Sequence, residues 1–283
     1  MLAVLVIGVG LGWEFERVRA QRRAVATIRA AGGRALYDYE VDARSDLPIP
    51  NAQSPAPTRW RRLFGDDFFH NVVAVEIHDR SKPMPRVPPG AKLRVDDQQV
   101  AALGRLAALR SLDLNYSDVD DSDLERLRSL RRLKRLWLLE TNVTDAGLAH
   151  LRSFPALEVL DLRGTRVCGA GMEAVGQITS LVDLGLDRTN VGDDGAKRLR
   201  NLTRLQILTL SHTRVGDSSI PAFEPLQDLR FLDLSRARLS RAGERDALLK
   251  VPSKQIYFGH IIYPDRRRGT IGPGRAAARG KAR

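Results

Sequence analysis

The residues of this chain that could carry out chemistry are few and scattered. Its single cysteine, Cys168, excludes an intrachain disulfide, and no His/Cys cluster has metal-ligand spacing. Neither a Gly-x-Ser-x-Gly nucleophile motif nor a phosphate-binding loop is present. The histidines lie far apart in the sequence: His70, His78, His150, His212 and His260. We therefore predict no catalytic residues, no metal and no cofactor, and we expect that the protein is not an enzyme.

Acidic residues are concentrated between Asp118 and Glu125, where they could be mistaken for calcium ligands. The loop glycine and the bidentate glutamate of a calcium-binding loop are not at the required spacing. Aspartates instead recur at fixed positions: Asp121, Asp145, Asp193 and Asp217. Because an aspartate accepts hydrogen bonds from the free N–H groups of a first helical turn, we expect these residues to be helix N-caps.

The interval of these aspartates belongs to a 24-residue repeat that fills the middle of the chain. Each unit reads roughly L-x-x-L-x-L-x-x-T-x-V-x-D-x-G-L-x-x-L-x-x-L. Leucines two residues apart predict a short strand with one buried face, and the three-residue spacing that follows predicts a helix facing the same core. After each strand comes a hydroxyl residue that we expect to bond local backbone groups. The units begin at Leu109, Leu133, Leu157, Leu181, Leu205 and Leu229.

One segment, Thr141-Asn-Val-Thr-Asp-Ala-Gly-Leu148, resembles the cysteine-containing leucine-rich repeats of F-box-type proteins and of their bacterial, membrane-associated relatives. The resemblance implies an α/β fold: a right-handed leucine-rich repeat solenoid with a parallel concave sheet, convex helices, a 24-residue period and about eight strands. It also implies a noncatalytic scaffold for protein–protein interaction. A ubiquitin-ligase-type substrate adaptor is the alternative, although Leu47-Pro48 is only an isolated match to an F-box.

We divide the chain into four parts. Residues 1–13 are an apolar membrane anchor or signal-like segment, with a packed soluble helix as a third possibility. Residues 14–71 contain a helix, a strand, a proline-rich connector and an N-terminal cap, in which we expect Trp60–Phe69 to close the open end of the array. Residues 72–263 form the solenoid, with an enlarged unit around Ser81–Gly90. Residues 264–283 are a disordered basic tail.

The net charge of +12 suggests an anionic partner, but half of it lies in the tail. No aromatic residues interleave with the basic ones, which does not favour nucleic acid. Basic residues after the apolar run favour a membrane-associated protein with a cytoplasmic array, and with the tail they are expected to contact an anionic membrane surface. These residues are Arg17, Arg19, Arg22 and Arg23.

Solenoid curvature makes the exposed side of the strands a candidate binding surface, with an ordinary solvated sheet face as the alternative. Trp137 and Leu139 are large apolar groups at outward positions, typical of interface anchors. Four aspartates on consecutive units are expected to attract a basic partner. The predicted contacts of a protein partner are Trp137, Leu139, Asp161, Arg163, Asp183, Asp187, Ile207, Phe231, Asp233 and Tyr257.

Overall fold

The computed structural model describes residues 2–42, 48–78, 92–259 and 262–264. The loop predicted around Ser81–Gly90 lies outside the described residues, and so does the basic tail from residue 265 onward.

A ten-stranded sheet runs through the described chain, and its strands lie side by side in chain order. Between Ser111 and Tyr257, neighbouring parallel strands pair residues that are 24 positions apart, as Leu136 does with Leu160. The predicted parallel sheet, its eight repeat strands and its period are thus confirmed. The parallel strands are β2 Val72–Glu76, β3 Ser111–Asp113, β4 Arg135–Trp137, β5 Val159–Asp161, β6 Asp183–Gly185, β7 Ile207–Thr209, β8 Phe231–Asp233 and β9 Gln255–Tyr257.

Short helices alternate with these strands, and both bury their leucines in one continuous core. Leu136 and Leu160 of the strands, and Leu124 and Leu151 of the helical side, are at most 1% exposed. A single unit buries too little to be stable alone, so the shared core and the strand ladder hold the array together. The helices are α4 Asp97–Gly104, α5 Asp121–Arg126, α6 Asp145–Leu148, α7 Met172–Val175, α8 Asp193–Arg198, α9 Ile220–Phe223 and α10 Arg241–Lys250, with 3-10 turns at Ala149–Ser153, Leu199–Asn201 and Asp217–Ser219.

The hydroxyl column behaves as predicted. Each of its side chains donates to the carbonyl oxygen three residues earlier, over 2.5 to 2.8 Å, where the chain leaves a strand. These residues are Ser117, Thr141, Thr165, Thr189 and Thr213.

The aspartate column does not cap its own helices, so that prediction is wrong. Asp120, one residue earlier, caps α5 by accepting from Ser122 N and Asp123 N. Asp121 instead reaches into the next unit, where it accepts from Thr144 N at 2.8 Å and from Thr144 Oγ1 at 2.6 Å. The same link recurs from Asp145 to Cys168, from Asp193 to Gly216 and from Asp217 to Ser240. The column therefore joins neighbouring units.

The glycine column makes room for these aspartates. A Cβ at Gly147 would collide with the carboxylate of Asp121, and one at Gly243 with the carboxylate of Asp217. Cys168 also serves this link, since its Sγ donates to Asp145 Oδ2 at 2.5 Å. The thiol of Cys168 therefore helps to join two neighbouring units.

Antiparallel strands end the sheet on both sides, β1 Arg34–Tyr37 beside β2 and β10 Ile262–Pro264 beside β9. Helix α1, Leu2–Ala30, covers the first unit, and its Ala24, Val25 and Ile28 join the common core. Among the described residues, no helix is both long and apolar enough to cross a membrane.

The prediction that Trp60–Phe69 closes the open end of the array is wrong, because α1 covers that end instead. This segment forms α2, Thr58–Phe64, and α3, Asp66–Phe69. The side chains of Trp60 and Leu63 are 42% and 72% exposed, so α2 does not cover the core. Helix α1 does so because its apolar side chains at residues 24, 25 and 28 lie on one helical stripe.

Candidate functional site

The outward side chains of β2 to β9 form one continuous surface, which we call the sheet face. The strand register aligns them across the sheet, so Asp113 lies beside Trp137 and Trp137 beside Asp161. The residue between each outward pair points into the core; it is a leucine in β3 to β8, Val75 in β2 and Ile256 in β9. The register aligns one outward residue of each strand in a single column across the sheet: Glu76, Asp113, Trp137, Asp161, Gly185, Thr209, Asp233 and Tyr257.

Trp137 is half-buried on this face and lies beside a cation. The Cζ atom of Arg135, two residues earlier on β4, is 5.9 Å from the centre of the Trp137 ring. Burial lowers the pKa of Arg135. Leu139 follows the strand, also half-buried, with its N–H donated to Asn115 Oδ1 at 2.8 Å. Trp137 and Leu139, the two predicted apolar anchors, are two residues apart and form the first apolar patch of the sheet face.

The central acid of the sheet face is already neutralised. Asp161 is 5% exposed and forms a bidentate pair with Arg163, with Nε to Oδ1 at 2.8 Å and Nη2 to Oδ2 at 2.6 Å. The hydrogen bond to Asp161 raises the pKa of Arg163. A Cβ at Gly185 would lie 3.0 Å from Asp161 Oδ1 and 3.2 Å from Arg163 Cγ, so this glycine leaves room for the pair.

Other acids of the sheet face also serve the protein's own chain. Asp187 accepts from Thr209 Oγ1 at 2.8 Å and from Ser211 N at 2.7 Å, while Asp233 accepts from Ser235 N at 2.8 Å. Burial raises the pKa of Asp187, and burial followed by the nearby charge of Asp161 raises that of Asp183. These contacts reduce the charge that is available to the predicted basic partner.

A second apolar patch lies on the last strands. Ile207, 37% exposed, is in register with the half-buried Phe231, and Tyr257 occupies the neighbouring column of β9. Three strand spacings separate β4 from β7, or about 14 Å. The predicted apolar contacts thus lie in two patches, with the Asp161–Arg163 pair and Asp183 between them and Asp187 and Asp233 beside the second.

A chain of hydrogen bonds that sequence reasoning missed lies outside the array. Asp38 Oδ1 is 2.9 Å from His70 Nδ1, and Ser54 Oγ is 2.9 Å from His70 Nε2. This is the order of a hydrolase triad. Such a triad needs N–H donors for the oxyanion, yet Pro55 and Pro57 have none and the N–H of Ala56 is donated to Ser54 Oγ itself at 3.3 Å. We interpret these hydrogen bonds as contacts that hold the proline-rich connector against His70.

The arginines that follow the apolar segment of α1 are largely paired. Arg17 pairs with Glu14 and donates to Asn71 Oδ1 at 2.6 Å, and Arg19 pairs with Glu16 at 3.1 Å. Arg22 lies 3.6 Å from Asp67. These ion pairs reduce the charge that the segment offers to an anionic surface.

Comparison with known proteins adds little beyond the fold. The sequence matches no family model, and no curated protein matches it significantly. Among solved structures, an internalin from Listeria monocytogenes is similar at 24% sequence identity and a TM-score of 0.46. The match covers 57% of this chain and 51% of the internalin, so the chain spans about half of that protein's length. A likeness of this degree says nothing about what this chain binds.

The 24-residue register, the single leucine core and the unclosed, mostly parallel sheet define the class of fold. The chain folds as a leucine-rich repeat solenoid.

Proposed function

We propose that this protein is a noncatalytic scaffold that binds a protein partner on the sheet face. The observation that carries the proposal is the pair of apolar patches, around Trp137 and around Ile207 and Phe231. Outward positions of a strand need no apolar residue for folding, and aromatic groups there are enriched among interface hot spots. No side chain of the sheet face is arranged with an acid or base for catalysis in the described residues.

The dimensions of the sheet face limit how a partner binds. Eight strands at about 4.8 Å spacing give a length of roughly 34 Å, and strands of three residues give a width of roughly 10 Å. This strip, on the order of 350 Å², is smaller than the roughly 800 Å² that each side of a stable complex buries. The partner is therefore expected to extend beyond the strands onto the adjoining loops.

The test begins with a photoreactive amino acid placed at Thr209, on β7 beside Ile207 of the second patch, and separately at Arg132, which is exposed in the turn between α5 and β4. A protein that crosslinks from position 209 and not from position 132 is identified by mass spectrometry. Calorimetry with that protein then compares Trp137→Ala with Trp60→Ala. Both change a surface tryptophan, but Trp60 lies on α2, outside the sheet face.

Trp137→Ala is expected to weaken binding by about 2 kcal/mol, as for an interface hot spot, with Trp60→Ala nearly neutral. Equal effects of the two substitutions, or crosslinks from position 132 alone, would contradict the proposed surface.

We further propose that residues 2–13 of α1 attach the protein to a membrane surface, with the array on the cytoplasmic side. This segment contains no charged residue and continues the same helix that ends in the core of the array. Apolar burial at the lipid interface is the attraction that supports the proposal.

A further inference from the structure

The loops that lead from strand to helix form an edge along the array, and its later units are basic. We call the five arginines of these loops the basic edge. All five side chains are exposed, and none has a hydrogen bond or ion pair with another residue in the described part of the chain. They are Arg166, Arg188, Arg214, Arg236 and Arg238.

The backbone holds these arginines at the spacing of the strands. Arg214 N donates to Val191 O at 2.9 Å and Arg238 N to Val215 O at 2.7 Å, each in the preceding unit. Arg188 N donates to Ser211 O of the following unit at 2.8 Å. Neighbouring units are therefore about 4.8 Å apart along the edge. Arg214 and Arg238, which occupy one column of neighbouring units, are therefore closer together than the Debye length of about 8 Å at physiological salt, so their fields add.

Two of these arginines occupy strained backbone. Arg188 and Arg236 have φ values of 56° and 55°, in the left-handed region. Gly164 fills the same column at φ 66°, so glycine fits there without the cost of about 1 to 2 kcal/mol that other residues incur. Tyr116, Glu140 and His212 have the same conformation, so the left-handed turn belongs to the whole column, in which Arg188 and Arg236 are the cations.

The same two columns are acidic at the other end of the array. Asp118 occupies the position of Arg166 two units earlier, and Glu140 occupies that of Arg188. The edge is therefore polarised along its length. A partner that binds this edge therefore needs negative charge only in the part that lies beside the second apolar patch.

We propose that the basic edge binds an acidic polypeptide segment of the partner that lies on the sheet face. The proposal rests on the proposed function for the identity of that partner. From Arg166 to Arg238 the edge spans three spacings, roughly 14 Å, which matches about four extended residues. Carboxylates on alternate residues of such a segment can pair with separate guanidinium groups.

A polypeptide fits this edge better than a nucleic acid. Stacking with bases favours several large aromatic side chains among the cations, but Tyr116 lies at the acidic end of these columns and the ring among the arginines is that of His212 alone.

The test uses the full chain and a fluorescein-labelled peptide of about eight glutamates, followed by anisotropy at about 50 mM salt, where screening is weak. A variant with Arg188, Arg214, Arg236 and Arg238 changed to Gln is compared with one in which exposed arginines of the helix-to-strand side, Arg132, Arg152, Arg200 and Arg204, are changed to Gln. Both variants lose the same charge, which controls for the attraction of the peptide to the whole basic chain.

The edge variant is expected to bind at least about tenfold more weakly, and the control less than about threefold, since each exposed ion pair contributes little alone. Changing the same four edge residues to Lys should preserve most of the binding, and circular dichroism should show all variants folded. Equal loss in the two Gln variants would overturn the proposal. So would a single-stranded oligonucleotide that binds the wild-type chain more tightly than the peptide and is released by the edge variant.

Failure of the sheet-face function is distinguishable from failure of this one. The glutamate peptide has no apolar side chain, so Trp137→Ala should leave its affinity unchanged. A partner whose binding depends on Trp137 but not on the basic edge would overturn the edge proposal and leave the sheet-face proposal standing.

Discussion

Replacing Gly243 by alanine is expected to destabilise the protein only while Asp217 is present. Gly243 lies in the first turn of α10, and an added Cβ would collide with the carboxylate of Asp217 from the preceding unit. That carboxylate accepts from Ser240 N at 2.8 Å and from Ser240 Oγ at 2.5 Å. To escape the clash, Asp217 must give up at least part of this link between units.

The magnitude follows from three contributions. Overpacking costs about 1 to 3 kcal/mol. Loss of a hydrogen bond to the exposed carboxylate adds roughly 1 kcal/mol. Replacing a helical glycine by alanine returns about 0.5 to 1 kcal/mol. The net destabilisation of Gly243→Ala is therefore about 2 kcal/mol. In an Asp217→Ala background, the next obstacle is the flexible Leu239 Cδ2 at 3.1 Å, and the same substitution should become neutral or stabilising.

Urea unfolding followed by circular dichroism measures all four proteins of this double-mutant cycle. Gly169→Ala is the control, because a Cβ there meets nothing closer than Gly195 N at 3.4 Å. If Gly243→Ala were equally destabilising with and without Asp217, the carboxylate would not be the reason for the glycine, and the link between units would be misread.

Further predictions address the array, the sheet face and α1. Deleting residues 157–180 should shorten the array and leave it folded by circular dichroism, since the contacts of Asp145 with Cys168 can pass to Gly192, whereas Leu160→Asp should unfold it by burying an unpaired charge. Asp183→Asn should raise the urea midpoint near neutral pH, because burial raises the pKa of Asp183 and an acid with a raised pKa in the folded state destabilises that state when it is ionised. The gain should disappear as the pH falls through the pKa of the folded state. A gain that persists in acid would contradict this reasoning. Removing residues 2–13 should abolish co-sedimentation with lipid vesicles and leave the urea midpoint nearly unchanged, because the buried apolar side chains described in α1, those of Val18, Ala24, Val25 and Ile28, are all retained. Sedimentation equal to that of the full chain would argue against the membrane attachment.

The strand register was predictable because its signal is a repeat of apolar side chains, and each leucine reports its own burial. The strands at Leu136, Leu160 and Leu184 therefore lie where the spacing indicates. The hydroxyl column was predictable for a related reason, since its hydrogen bonds are local, three residues back along the chain.

Contacts between units were not predictable in the same way. Sequence spacing places Asp121 at the start of a helix, but it does not tell whether the carboxylate bonds its own first turn or the N–H of Thr144 in the next unit. The pairing of Asp161 with Arg163 could not be predicted for a similar reason. Two outward residues at the end of one strand can bind a partner or bind each other, and the sequence does not distinguish the two cases. The basic edge needs the left-handed backbone at Arg188 and Arg236 before its two columns can be recognised as one surface.

The antiparallel strands β1 and β10 give the array a fixed pair of ends. A further unit added outside either one would meet a strand running in the opposite direction, so copies of the repeat can be gained or lost only from the interior. A unit gained or lost between the amino-terminal helix and the basic edge would move the two apart or together by one step of about 4.8 Å. The number of units before the basic edge therefore sets how far the cationic loops lie from the end of the molecule proposed to meet the membrane.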